Sequence, residues 1–348
     1  IVDYLNGISL VNSFLSAVSL AVSAIPEGLP TVLVITLSLG AQRMARQNAI
    51  VRKLNSVETL GTTTVICSDK TGTITKNEMT VRQVETENNS IDITGEGYTR
   101  DGKFIENGDK IKPRRNFELE LILKTGLLCN NSSIVEDPEI GPYITGDPTE
   151  GAILIAAVKS GLIPEKVEKE NPRVWEFPFD SRRKMMSTIN ETENELRVYA
   201  KGAPEVILEK SNQIYSDGAI IELTEKHREE IKDKVEELAE RALRVLAFAY
   251  KETEKQDEYQ QEETESDLIF IGLMGMMDPP REEVPAAIEL CRKAGIRPVM
   301  ITGDHEDTAV AIAREVGIIT EGDSDSVTGM ELSEMTDAEL SNIVDKVS

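Results

Sequence analysis

The sequence predicts an α/β protein: a parallel sheet split by a long α+β insertion and preceded by a transmembrane helix. Three observations predict it. From Ile8 to Leu39 the only ionisable residue is Glu27, and that length is enough for a hydrocarbon layer of about 30 Å. An apolar strand, Thr64-Val65-Ile66, then stops at Asp69, where Lys70-Thr71-Gly72-Thr73 follow at once. Finally, strand and helix signals alternate late in the chain, at Leu268–Leu273, Glu282–Ala294, Ile296–Ile301 and Thr308–Val316. That order implies parallel strands with a crevice at their carboxyl ends. The expected divisions are 1–42 (membrane segment), 43–82 (stalk and first part of the sheet domain), 83–267 (insertion) and 268–348 (second part, cut short).

The first element is unusual inside. Pro26-Glu27-Gly28-Leu29-Pro30 places two prolines and a glycine mid-span, which removes backbone donors and frees upstream carbonyls. Such a break is tolerated where it lines a cavity. The carbonyls around Val22, Ser23 and Ile25 and the carboxylate of Glu27 form a set of hard oxygen donors suited to a cation such as Ca²⁺. Arg43, Arg46, Arg52 and Lys53 follow the span and no basic residue precedes it. The positive-inside tendency therefore places residues after about 42 in the cytoplasm.

Composition narrows the function. The 348 residues carry a formal net charge of -24, which argues against a nucleic-acid partner because phosphate backbones would be repelled. Any phosphate-bearing ligand must find its cations gathered locally. Three cysteines, Cys67, Cys129 and Cys291, are scattered without metal-ligand spacing, and their odd number argues against a disulfide framework. The chain opens without methionine or a signal peptide, so it is expected to be part of something longer.

The residue pattern that carries chemistry is the strand end at Asp69. A carboxylate beside a tight loop of backbone N–H groups is placed to attack phosphorus while the loop holds phosphoryl oxygens. The string Cys67-Ser68-Asp69-Lys70-Thr71-Gly72-Thr73-Ile74-Thr75-Lys76-Asn77-Glu78-Met79-Thr80 resembles the phosphorylation loop of P-type ion-pumping ATPases. The likeness extends to Ala24-Ile25-Pro26-Glu27-Gly28-Leu29-Pro30 and to the stalk Arg43–Gly61, which look like the fourth transmembrane helix of the calcium-transporting branch. The intact Pro-Glu-Gly-Leu-Pro implies Ca²⁺ as the transported cation, with Mn²⁺ the second choice.

The resemblance implies a haloacid-dehalogenase-like phosphorylation domain split by a nucleotide-binding domain. It implies ATP and Mg²⁺, with Asp69 as the phosphorylated residue, Lys70 and Thr71 beside it, and Asp69 and Thr71 as Mg²⁺ contacts. Thr302, Gly303 and Asp304 resemble the family's second phosphate loop. In the insertion, Gly146–Glu150 resembles a string whose acidic residue, here Glu150, lies near adenine. Phe177–Ser181 supplies Phe179 as the stacking ring, Lys201-Gly202 the base of the pocket, and Leu243–Ala247 supplies Arg244 for the phosphates. The family's arginine two positions after the ring is Ser181 here, leaving Arg182, Arg183 or Lys184 to take its place.

Phosphatases of the same fold class commonly carry a second aspartate two positions after the nucleophile; this chain has Thr71. A long-lived phosphoaspartate follows, which suits a pump. The alternative is a soluble haloacid-dehalogenase-like phosphohydrolase with a cap domain, against which Thr71 and the Ile8–Leu39 span both count. The resemblance further implies a lipid bilayer, an actuator domain and other transmembrane helices as partners. No Gly-Asp-Gly-x-Asn-Asp string occurs, so the fragment alone is expected to be inactive or nearly so. The acidic stretch Lys255–Asp267 and the polar tract Glu85–Lys112 read as solvated surface or loops.

Overall fold

The computed structural model describes residues 9–23, 28–95, 97–137, 141–193, 195–304, 306–320, 326–344 and 346–347. The chain divides into two compact units, Ile1–Ile66 and Cys67–Ser348.

The first unit contains helices α1 (Leu10–Ser23), α2 (Leu29–Ala45) and α3 (Asn55–Gly61). None of the three buries a residue, and Leu10, Val11, Phe14, Leu33 and Ile35 are all at least half exposed. Of the expected break, Leu29 and Pro30 open α2; Ile25 and Glu27, two of the four expected cation ligands, lie outside the described residues. Among the described residues no helix is long and apolar enough to cross a membrane.

The second unit is built on a large, mostly antiparallel sheet. Its strands are β2 (Thr80–Glu85), β3 (Ser90–Ile93), β4 (Phe104–Glu106), β5 (Asp109–Ile111), β8 (Arg173–Asp180), β9 (Met185–Glu191), β10 (Leu196–Gly202), β11 (Ser211–Ser216), β12 (Ala219–Glu222), β13 (Arg244–Thr253) and β14 (Leu268–Met277). They run in the order β5-β4-β3-β2-β14-β13-β10-β9-β8, with β11 also on β14 and β12 on β11. Strands β6 (Ser133–Asp137) and β7 (Gly141–Thr145) form a separate hairpin.

Helices cover both faces. Residues Ile269 and Ile271 of β14 pack with α4 (Phe117–Leu128) and α5 (Pro148–Lys159) through Leu119, Ile122, Leu123 and Ile153. The alternate residues Leu268, Phe270 and Leu273 face α7 (Pro204–Glu209) and α8 (Glu225–Glu240) through Ile207, Leu208, Ile231 and Leu238. A strand buried on both faces reads as a continuous apolar run, because the period-2 alternation separates two cores rather than core from water. That explains one correction. Leu268–Leu273 does not join Ile296–Ile301 in a parallel sheet; β14 lies antiparallel between β13 and β2, as Met274 opposite both Leu246 and Val84 shows.

Two polar stretches are also more structured than expected. The tract Glu85–Lys112 contains β3, β4 and β5, with Ile91, Ile93 and Phe104 buried. The acidic stretch Lys255–Asp267 contains the short α9 (Gln261–Thr264) and buries Tyr259 and Glu265. In both, sparse apolar residues at alternate or helical positions suffice to anchor a charged surface.

The second sheet is a pair, β1 (Val65–Asp69) with β15 (Arg297–Ile301). Helices α10 (Val284–Lys293) and α11 (Glu306–Glu315) belong to the same region. Ile74, Ile312, Ala313, Val316, Ile318 and Ile319 form its small core, with Val284, Ile288 and Met300 packed against it. The helices α6 (Pro164–Glu170), α12 (Gly329–Glu334) and α13 (Asp337–Ile343) complete the unit.

Candidate functional site

Strand β1 ends at Asp69 in extended conformation, and the chain then closes into a five-residue π-type turn, Lys70–Ile74. Gly72 sits at φ 75° inside it, a conformation that costs a glycine little. The turn is fastened by side chains. The hydroxyl of Thr75 donates to Asp278 Oδ2 (2.5 Å) and accepts from Gly72 N (3.2 Å), and Thr75 N donates to Lys70 O (2.9 Å). Asp278 Oδ1 accepts from Glu78 N at 3.1 Å, and Arg281 Nη2 donates to Gly72 O at 3.1 Å. The segment Asp278-Pro279-Pro280-Arg281 is therefore a brace for the Asp69 loop, and Thr75 bridges Pro280.

Lys70 is 6% exposed and its ammonium pairs with Asp304 Oδ2. Lys70 follows β1 and Asp304 follows β15 within three residues, so the carboxyl ends of the two strands lie together. Thr302 Oγ1 accepts from Asp304 N at 3.1 Å, which shapes the Thr302-Gly303-Asp304 turn. Asp69 itself is exposed.

A cavity of about 560 Å³ opens beside this loop. Lys70, Thr71, Asp304 and Asp278 line one side, and Asp147, Thr149 and Arg244 line another. Asp147 caps α5, accepting from Thr149 N (2.8 Å) and Glu150 N (3.2 Å). Arg244, at the start of β13, reaches Thr149 Oγ1 at 3.3 Å. Two cations, Lys70 and Arg244, therefore face the cavity alongside the carboxylates of Asp147, Asp278 and Asp304, so a phosphate chain would find local cations there in an acidic setting.

Further along α5, Glu150 pairs with Lys201 at 2.6 Å, with Lys201 6% and Glu150 14% exposed at the side chain. Lys201 is near the end of β10, opposite Met186 on β9. The next residue must be glycine: a Cβ on Gly202 would lie 2.6 Å from both Lys184 O and Met185 Cβ. Below this point Cys129 is fully buried, and burial pushes its thiol up to about 11.

Phe179 lies on the edge strand β8, where pairing with β9 shifts register between Phe177 and Asp180. Its ring is 60% exposed. The bulge faces the Met185–Ser187 stretch of β9, so two inter-strand spacings of about 4.8 Å separate Phe179 from the Lys201 strand.

The structure thus brings Lys70, Thr71, Asp304 and Arg244 to one cavity, with Thr302 and Gly303 in the adjoining turn. Glu150, Lys201 and Gly202 form a second group, joined to the first through the neighbours Thr149 and Glu150, while Phe179 stands apart on the edge strand two strands from Lys201. Lys184 is in neither: it pairs with Glu205 at 3.0 Å on the surface. Of the three cations that could replace an arginine at Ser181, Arg183 is also engaged, with Glu265. Arg182 is the one whose guanidinium has no protein partner among the described residues. Sequence reasoning missed Asn77, Asp147, Thr149 and Asp278 around the cavity. The Asp278-Pro-Pro-Arg string was the available signal, since a carboxylate ahead of two prolines has its backbone fixed for capping.

The donors fit Mg²⁺ in part. Asp69, Thr71 and Asp304 offer hard oxygen, yet among the described residues no group of three or more His, Cys, Asp or Glu side chains could hold a metal ion. Mg²⁺ characteristically takes only one or two carboxylates and fills its remaining positions with phosphate oxygens and water, so this set suits an ion that arrives with a phosphate chain. The resemblance's other expected ligands fare differently: Val22 and Ser23 close α1, with Ser23 Oγ donating to Ser19 O at 2.8 Å.

Comparison with known proteins gives a consistent result. The family "P-type ATPase, cytoplasmic domain N" matches residues 118–283. A calcium-transporting ATPase of Bacillus subtilis is 44% identical over 348 residues, covering 99% of this chain and 39% of the relative. Calcium-transporting ATPase 1 of Lactococcus lactis is 41% identical over 98% of this chain and 36% of its own length. The cation-transporting ATPase pma1 of Synechocystis is 43% identical over 96% and 37%. The chain spans less than two-fifths of the length of these relatives.

Proposed function

For a chain that belongs to the P-type cation-transporting ATPases, we propose that it is the energy-coupling segment of an ATP-driven pump, with Ca²⁺ as the cargo. The observation that carries this reading is the Lys70–Asp304 pair at the joined strand ends, sharing one cavity with Arg244 from the large sheet. It is the arrangement that a phosphate chain running from the large sheet to Asp69 would need.

In this reading Phe179 stacks on the adenine, and Lys201, held by Glu150, closes the base of its pocket with Gly202. Arg244 meets the phosphates, with Arg182 the available second cation. An oxygen of the Asp69 carboxylate attacks the γ-phosphorus in line. The bond from phosphorus to the bridging oxygen breaks, ADP leaves with that electron pair, and an aspartyl phosphate remains. Lys70 and Thr71 stabilise charge on the transferring group, and Thr302, Gly303 and Asp304 frame it from β15; the catalysis is positional and electrostatic. Mg²⁺ would be held by Asp69 and Thr71, and when bound it neutralises phosphate charge. With Thr71 where a phosphatase has its second acid, the chain carries no resident base to hydrolyse the phosphoaspartate quickly.

The strand pair β1–β15 with α10 and α11 is the beginning of a haloacid-dehalogenase-like phosphorylation domain. Helices α1 and α2 are the halves of a broken transmembrane helix, with Val22, Ser23, Ile25 and Glu27 as ligands of the transported cation. Their exposed apolar surface supports lipid as their solvent. Residues after about 42 are cytoplasmic. An actuator domain and further transmembrane helices complete the pump, and without them the segment is inactive or nearly so.

The test uses the protein extended to the full length of its relatives, with γ-labelled ATP, Mg²⁺ and Ca²⁺ varied from chelated to millimolar. Acid-stable, hydroxylamine-labile label that requires Ca²⁺ is the expected result. Label that answers another cation keeps the pump and discards Ca²⁺; free phosphate without label supports a phosphohydrolase.

A further inference from the structure

The backbone just before Phe179 is gripped by Arg183, which is itself paired with Glu265, 82 positions further along the chain. Because β8 and β9 shift register between Phe177 and Asp180, the ladder does not pair Pro178 and Phe179. The guanidinium of Arg183 does that work instead. Its Nη2 donates to Pro178 O and, at 3.5 Å, to Phe177 O. Its Nη1 pairs with Glu265 Oε1. Glu265 is only 1% exposed, and its carboxylate is fixed by Ser187 Oγ (2.7 Å) from β9 and by Gln261 Nε2 (3.4 Å) from α9. The turn is completed by Asp180 Oδ1, which accepts from Arg182 N (2.9 Å) and Arg183 N (3.0 Å). A buried charge pair placed on a bulge, rather than under regular ladder, sets where the bulged residue points.

We propose that Glu265 and Arg183 are positioning residues for nucleotide binding, holding the Phe177–Pro178 backbone so that the Phe179 ring presents its face to a purine. The proposal rests on the reading of Phe179 as the base platform. It assigns a role to an acidic segment, Lys255–Asp267, that charge pattern alone marks as surface.

The experiment is a calorimetric titration of ATP and of tripolyphosphate into the full chain, for Glu265→Gln and Arg183→Lys, each alone and combined with Phe179→Ala. Arg183 lies at the outer end of the pair, so Arg183→Lys keeps the test usable if Glu265→Gln fails to fold. The emission of Trp175, the sole tryptophan, packed on Tyr259 at a 5.7 Å ring separation, reports folding of this corner. Each single variant is expected to weaken ATP about tenfold, the scale of one lost base–aromatic stack, and to leave tripolyphosphate unchanged. In the Phe179→Ala background the same changes should have no further effect. Equal losses in both backgrounds, or loss of tripolyphosphate binding, would overturn the proposal by showing a general structural role; so would ATP affinity unchanged in the single variants. If Phe179→Ala alone left ATP affinity intact, the platform reading would fall and the proposal with it.

Discussion

The two ends of the candidate site are built by different means. At the Lys70 end, the turn is tied down by several side chains, some from a second segment: Thr75 and Asp278 fasten it and Arg281 grips Gly72 O, while Lys70 is buried and Asp69 is exposed. At the Phe179 end, the ring is largely in solvent on an edge strand, and one guanidinium, that of Arg183, grips the Phe177 and Pro178 carbonyls where the ladder is interrupted. A group that attacks phosphorus needs in-line placement within fractions of an ångström. A stacking ring needs only a face and a rough position. The difference in construction follows the difference in tolerance.

This contrast orders the expected effects. Asp69→Asn should abolish the hydroxylamine-labile label in the full-length protein while leaving ATP affinity nearly unchanged, because the loop's geometry does not depend on that carboxylate. Gly202→Ala should destabilise by about 2–3 kcal/mol, read as a lower denaturation midpoint, since the new methyl meets backbone on β9 rather than a movable side chain. At pH 8 the thiol of Cys129 should react with a maleimide far more slowly than exposed Cys67, its thiolate fraction being about a hundredfold below that of an ordinary cysteine. Rapid modification would mean the floor beneath Lys201 is wet. Lys184→Gln should change stability by less than about 0.5 kcal/mol, because both it and Glu205 are more than half exposed. The Lys184 hydrogen bond holds Glu205 below the ordinary carboxylate range. Its small contribution is therefore present at neutral pH and fades as the pH falls through the depressed value.

Legibility in the sequence follows the same division. The Asp69 loop could be read because its chemistry sits in one contiguous string, and Thr302–Asp304 because it repeats the strand-end pattern. The Glu150–Lys201 pair joins two strings read separately, and the fold supplies only their contact. What could not be read depends on partners far apart in the chain. Glu265 lies 82 residues from Arg183 in a stretch where charge suggests solvent, and only the sheet brings them together. The misplaced Leu268–Leu273 strand has another cause: a run apolar on both faces fits a parallel strand or a central antiparallel one equally, and β2 and β13 decide between them. An apolar helix and an apolar strand show the limit of composition, since α1 and β14 are both rich in apolar residues yet only β14 is buried within the fold.

In the proposed function one nucleotide runs from Phe179 to Lys70 past Arg244. The most direct test of that path is a titration of adenosine, tripolyphosphate and ATP into the wild-type chain, Phe179→Ala and Arg244→Ala. Phe179→Ala should lose adenosine and keep tripolyphosphate, Arg244→Ala should do the reverse, and both should weaken ATP about tenfold. Loss of neither ligand in either variant, or the same loss of both ligands in both, would contradict it.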